Sequence, residues 1–478
     1  VSFVSANAPR FDDPVLGRAY AHASAFLGRL PDRPVAARAS RRDLLASLDR
    51  ALPEEPEDSS RVVEALVEAA DPGLIACAGP RYFGFVTGGS HPAALAADWL
   101  VSTWDQNAGL YVMSPAASVI EDVAARWVLE LLGLPAEASV GFTTGAHTAS
   151  LTALAAARHD VLKRVGWDVE AQGLQGAPRV HVVVGAEAHT SILAALRILG
   201  FGASSAQVAD ADGQGRLRPE SLARCLERCD GPTIVCAQAG NVNTGAFDPF
   251  ADLVGLTRAH GAWLHVDGAF GLWAAAVPAL APLVRGLASA DSWSTDGHKW
   301  LNVPYDSGIV CVAHAAAHRA AMSMTAAYLL RGPAEERNGM DWVPESSRRA
   351  RAVPIYATVR ALGRRGIRDL VTRCCRLATR MADRLRREPG VTVLNDVVLN
   401  QVLVRVNHGP TNLTPAVIAE TQREGVCWVG GTTWHGAAAL RISVSGWSTT
   451  EDDIDRSAAS LVNARRRAVA ALGPDQES

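Results

Sequence analysis

Between about residues 76 and 330, short β-branched runs alternate with helical stretches, and that alternation restricts the fold more than any other feature of the chain. VHVVVG (180–185) precedes a helical pattern from Thr190, and PTIVCAQAG (232–240) precedes one from Pro249. AWLHVDGA (262–269) and SGIVCVA (307–313) follow. These runs are apolar throughout, so both faces of each strand must be covered. Such strands interleaved with helices predict an α/β fold with a mainly parallel sheet flanked by helices. Sheets of this kind bind ligands at the carboxyl ends of their strands.

The flanks read differently. Residues 1–75 are predicted helical, in LGRAYAHASAFLGRL, RRDLLASLD and SSRVVEALVEAAD, where apolar residues recur at three- and four-residue spacing. From 331 the chain becomes Arg-rich and helical (SSRRARAVPIYATVRALGRRGIRDL, then TRCCRLATRMADRLRRE). Strands follow in VTVLND, NQVLVRVN, VCWVGG and AALRISVSG. The expected organisation is an N-terminal helical segment (1–75), a large α/β domain (76–330) and a small α+β domain (331–478).

Composition excludes several classes of function. The 478 residues are 48% hydrophobic and 20% charged, which is globular rather than disordered. A net charge of −3 gives no electrostatic basis for binding nucleic acid or an anionic membrane. The apolar run AFGLWAAAVPALAPLV (269–284) holds two prolines and is too short to span a bilayer. VSFVSANAPRFDDP lacks a basic stretch followed by an apolar one. Eight cysteines are scattered, with no CxxC pair and no zinc-like Cys/His spacing. They read as reduced thiols, so the expectation is a cytoplasmic protein without a metal site.

Only two of the 46 Lys and Arg residues are lysines, Lys163 and Lys299. Arginine has been used almost wherever a positive charge suffices. A retained lysine therefore points to chemistry arginine cannot do, such as losing its proton and forming a Schiff base. Lys163 lies in a charged helical turn, AARHDVLKRVG, and reads as a surface residue. Lys299 lies in SWSTDGHKWLNVPYDSG, beside His298 and Trp300, where an imine-forming amine would sit.

Three more segments fall at predicted strand ends. GFTTGAHTASLTALAAAR (141–158) is a Gly/Thr loop opening a long Ala/Leu helix, whose free N–H groups favour a phosphate. It is equally compatible with a plain helix start. His189, in EAHTSILAALRILG, is a candidate to stack on an aromatic ring or to cap the helix. Asp267, in HVDGAFG, ends an apolar strand, where a carboxylate needs a partner such as a protonated ring nitrogen or a structural cation. Together, a phosphate cradle, a stacking ring, a carboxylate and an amine are the requirements of pyridoxal 5'-phosphate (PLP).

With HVDxA and HKW in this order, the chain resembles the PLP-dependent decarboxylases of the aromatic-amino-acid and glutamate decarboxylase family, within fold type I. The similarity runs from about Pro80 to the C-terminal strands and includes YFGFVTGGSHPAALAADWL, SPAASVIE and SRRARAVPIYATVRALG. It implies a seven-stranded, mainly parallel sheet. It also implies that Lys299 carries PLP as a Schiff base, that Asp267 holds the pyridine nitrogen protonated, and that His189 and Ala269 pack the two faces of the ring. Ala146 and His147 would give backbone N–H groups to the phosphate, and His298 would lie beside the cofactor. By the same resemblance Tyr328, in TAAYLLRGPAEERNG, stands where a mobile loop carries the tyrosine that protonates the substrate carbon. The implied reaction is decarboxylation of an L-amino acid to its amine and carbon dioxide, in a homodimer with sites at the subunit interface.

Three positions depart from the family pattern. His147 replaces a small hydroxyl residue, and Asp296 stands where many members have asparagine. A carboxylate near a phosphate would be repulsive, so Asp296 is expected to cap the Lys299 turn. AGNVNTGAFDP replaces a threonine-rich run, leaving Asn241, Asn243 and Thr244 as candidates to bind cofactor or substrate, with Asn243 taken for the cofactor. Phe85, Trp104, Tyr111 and Trp434 are candidate substrate contacts and suggest an aromatic or bulky side chain. Arg441 could pair with a substrate carboxylate or serve the structure. Transamination, retro-aldol cleavage, oxidative deamination and non-catalytic PLP binding are the alternatives.

Overall fold

The computed structural model describes residues 14–324, 333 and 336–472. It opens with α1 (Pro14–Arg29), α2 (Arg41–Leu48) and α3 (Ser59–Ala70). Ser40 and Asp58 cap α2 and α3, each accepting the backbone N–H three residues on, a donor the first turn cannot satisfy internally. Neither α1 nor α2 has a buried residue, and Leu16, Tyr20, Leu45 and Leu48 stay exposed.

Helices α4 (Pro92–Trp104) and α5 (Pro115–Leu132) lead into the main sheet. Its strands are β1 (Ser139–Thr143), β2 (His181–Gly185), β3 (Gln207–Ala209), β4 (Thr233–Gln238), β5 (Trp263–Asp267), β6 (Ser292–Asp296) and β7 (Gly308–Val312). They stand in the order β1-β7-β6-β5-β4-β2-β3. β2 to β6 pair in parallel, and β7 lies antiparallel between β1 and β6. The expected mainly parallel, seven-stranded sheet is therefore present, with two corrections. GFT (141–143), read as loop, lies within β1, a strand buried at every position. Gly141 is needed there because a Cβ would lie 2.3 Å from the Trp342 carbonyl oxygen. SGIVCVA is the reversed strand, since a continuous apolar run reports burial on both faces and not direction.

Side chains of the strands alternate between two covers. Val182, Val184, Ile234, Cys236 and Trp263 face helix α6 (Ala146–Lys163). Ala149, Ala153, Ala156 and Ala157 of α6 are fully buried, and such small side chains bring the helix close to the sheet. Val183, Val235, Leu264 and Val266 face the other way, towards α5 and the helix Ala352–Leu385. That helix breaks at Gly363, with φ +60°, a region open to glycine. Arg348, fully buried, lies 2.5 Å from Glu121 of α5 and donates to the Phe142 carbonyl at 2.9 Å, tying β1 to α5.

The C-terminal sheet comprises β8 (Val391–Val393), β9 (Gln401–His408), β10 (Thr411–Asn412), β11 (Gly430–Trp434) and β12 (Ala437–Ser443), all antiparallel. The expected strands are there, although VCWVGG enters β11 only at Gly430. The eight cysteines are free thiols. Among the described residues no helix is long and apolar enough to cross a membrane.

Candidate active site

The carboxyl ends of β4, β5 and β6, the start of α6 and the turn after β2 surround a cavity of about 270 Å³. Lys299, three residues past β6, lines it, and its Nζ lies 2.9 Å from Asp296 Oδ2. Asp267 ends β5 on the same wall and is 5% exposed, with Oδ1 accepting the Ala269 N–H at 3.1 Å. Burial raises its pKa, against an opposing pull from His189 and Lys299. A buried carboxylate in this state is short of a cation.

His189 takes the capping role the sequence offered. It caps the helix Thr190–Ile198, with Nδ1 accepting the Ser191 N–H at 3.3 Å, and it also lines the cavity. Desolvation is the main cause lowering its pKa, so the ring is held neutral. Ala146 and His147, the first residues of α6, line the cavity, as does Ala269. His298 lines it too, stacked on Tyr305 with ring centroids 4.4 Å apart. Its Nδ1 accepts the Ser307 N–H at 3.0 Å, and burial lowers its pKa.

Other candidates lie elsewhere. Asn243 is buried outside the cavity wall, its Oδ1 accepting the Thr432 hydroxyl at 3.0 Å, while Gly240 and Val242 form the wall. Asn241 braces this turn, its Oδ1 accepting the N–H groups of Asn243 and Thr244. Phe85 is 62% exposed and lies against Trp428. Trp104, at the end of α4, is 49% exposed. Tyr111 sits in the following turn, its N–H donated to Asn338. Trp434 is buried with Leu403 and Ala439 in the C-terminal sheet. None of these four lines the cavity among the described residues. Tyr328 lies outside the described residues.

The sequence reading missed Gln238, which ends β4 opposite Asp267 and lines the cavity. The rule that ligands sit at strand carboxyl ends, applied to the strand next to Asp267, would have found it. It also misplaced Asp296. Rather than capping the Lys299 turn, the carboxylate accepts the Ala146 N–H at 2.5 Å.

A model of the pyridoxal-dependent decarboxylase conserved domain matches residues 42–407. The chain belongs to the pyridoxal-dependent decarboxylase family. It is similar to the human protein named acidic amino acid decarboxylase GADL1, with 28% identity over 66% of this chain and 61% of that one. The match therefore spans about three fifths of that relative's length. It is also 28% identical to the L-2,4-diaminobutyrate decarboxylase of Rhizobium meliloti, over 84% of this chain and 81% of the relative. A crystal structure of Oryza sativa TDC with PLP and tryptamine superposes with a TM-score of 0.88 at 21% identity, covering 96% of this chain and 99% of that one.

The donor set fits the family's cofactor. Lys299 offers an amine at the cavity, and Asp267 is a buried carboxylate wanting a cation on the same wall. Gly145 leaves the approach to α6 open, since a Cβ there would meet the His298 ring at 3.2 Å. When bound, PLP supplies an electron sink for chemistry at the substrate's α-carbon.

Proposed function

We propose that this chain decarboxylates an L-amino acid to its amine and carbon dioxide, with PLP carried on Lys299. The observation that carries this reading is the convergence of Lys299, Asp267, His189 and the α6 N-terminus on one cavity. Lys299 would hold the cofactor through its amine. Asp267 would pair with a protonated pyridine nitrogen, a cation that would offset the burial of its carboxylate and so keep the nitrogen protonated. His189, held neutral and fixed by Ser191, presents an uncharged face for stacking. The N–H groups at the start of α6 would receive the phosphate. Tyr328 returns a proton to the substrate carbon.

The side chain accepted is argued from two observations. Phe85 lies three residues before Gly88, where a Cβ would meet the Lys299 carbonyl oxygen at 2.1 Å. Its exposed ring therefore stands on a segment packed against the Lys299 turn, which supports an aromatic or bulky substrate. Arg441 on β12 supports an acidic one. Among the described residues its guanidinium has no hydrogen-bond or ion-pair partner, burial lowers its pKa, and its charge reaches His189. A panel of L-amino acids assayed for carbon dioxide release separates the two.

A homodimer is part of the proposal. Trp99, Leu100 and Trp104 of α4 are exposed with Val112 and Met113 of the next turn. Tyr20 of α1 meets Trp99 edge-on at 6.1 Å, extending the same apolar face. A second copy would cover it.

The test is the visible spectrum of the purified protein before and after borohydride, with peptide mapping of the reduced adduct. A yellow protein with its adduct on Lys299, and amine and carbon dioxide formed from one amino acid, is the expected result. A protein that stays colourless with added PLP would overturn the reading. Keto acid, or aldehyde with peroxide, would instead identify one of the other PLP reactions.

A further inference from the structure

The cavity holds an anion of its own. Asp296, the last residue of β6, is 2% exposed. Its Oδ1 accepts the Ala146 N–H at 2.5 Å, and its Oδ2 lies 2.9 Å from Lys299 Nζ. His298 Nε2 is 3.4 Å from Oδ1. Because His298 Nδ1 accepts the Ser307 N–H, the neutral ring carries its proton on Nε2, towards this carboxylate. The backbone of Asp296 is fixed as well. Its N–H donates to the Ala269 carbonyl at 2.9 Å, and its carbonyl accepts the Trp273 indole N–H at 3.2 Å.

One carboxylate therefore occupies two groups the cofactor needs. The Ala146 N–H opens α6, where an anion is stabilised and where the phosphate would dock. The Lys299 amine must be released from its ion pair before it can react. An incoming phosphate carries the same sign of charge as Asp296, and like charges a few ångströms apart in a partly desolvated site repel strongly. Among the described residues, the other charged or titratable groups lining this cavity are His147, His189, Asp267 and His298, none of them a permanent cation.

We propose that Asp296 is a positioning residue at the phosphate end of the cavity. It holds the α6 N-terminus and Lys299 in place, and its charge opposes a phosphate docking there. This rests on the assignment of the cavity to PLP. The energetic consequence is that the phosphate contributes less to cofactor affinity here than it would beside an uncharged side chain.

The test compares the full-length wild type with Asp296→Asn and Asp296→Ser, each freed of cofactor and titrated with PLP and with pyridoxal, which lacks the phosphate. Bound chromophore reports the dissociation constants. Removing the charge is expected to tighten PLP binding by about tenfold or more, and pyridoxal binding by much less. Asp296→Ser serves as the check should Asp296→Asn not fold. Unchanged or weaker PLP binding in a folded variant overturns the proposal. Equal tightening of both ligands also overturns it, because the carboxylate would then act through Lys299 alone. A wild type that binds neither ligand would instead count against the assignment of the cavity to PLP.

Discussion

Lys299 and Tyr328 carry the two ends of the proposed reaction, and only the first is chemically conspicuous in the sequence. Two lysines in an arginine-rich chain single out Lys299, while Tyr328 is one tyrosine among six. Tyr328→Phe is expected to retain cofactor absorbance and lose amine formation, with aldehyde as the alternative product to assay. Amine made at the wild-type rate would remove Tyr328 from the mechanism. A second prediction concerns His318, which nothing in the sequence marks. Its ring is fully buried, with Nδ1 2.9 Å from the Ser139 hydroxyl and Nε2 2.9 Å from the Trp342 carbonyl. Burial pushes its pKa down to about 3. The folded chain then keeps this ring neutral at pH values where the unfolded chain protonates it. Its contribution is complete above the unfolded pKa of about 6.5 and is lost progressively as pH falls towards 3. Urea denaturation at pH 7.5 and pH 5 should show about 2 kcal/mol of pH-dependent stability that a His318→Gln variant lacks. An identical pH slope in the variant would assign the acid sensitivity to other groups.

At the scale of elements, the start of α6 depends on two glycines from different parts of the chain. A Cβ on Gly308 of β7 would lie 2.4 Å from the Gly145 backbone, with no flexible side chain to give way. Gly308→Ala is expected to destabilise the fold by about 2 kcal/mol or more, as overpacking does, and to weaken PLP retention by moving Gly145. The control is Gly255→Ala, in the exposed part of the helix Phe250–Ala259, where a Cβ meets nothing within 4 Å. That change should stabilise by about 1 kcal/mol, and equal effects at the two sites would sink the argument. The same contrast explains how the strands were read. VHVVVG and AWLHVDGA declare themselves through β-branched side chains. β1 does not, because Gly141 answers to the Trp342 carbonyl and not to local propensity. No local pattern distinguishes β7 as the reversed strand, since its direction is set by pairing with β1 and β6.

For the whole molecule, the apolar face along α1 and α4 predicts assembly. Leu100→Glu places a charge on an exposed position of that face and should convert a homodimer into monomers without unfolding them, as read by sedimentation and circular dichroism. A wild type that is already monomeric and active would exclude interface sites. The chain's pattern by itself determined the α/β class and the helical and α+β flanks, and it supplied the candidates for the chemistry, because periodicity and side-chain type are local properties. It also brought out Lys299, Asp267 and His189 as strand-end residues. Tertiary structure alone decided which candidates share a cavity. Asn243 turned to Thr432 and Trp434 into the C-terminal core, Gln238 joined the wall, and Asp296 reached across to Ala146 and Lys299. Those outcomes depend on contacts between residues as much as 189 positions apart. Their distances are set by how sheets and helices pack, and no local property of a sequence encodes them.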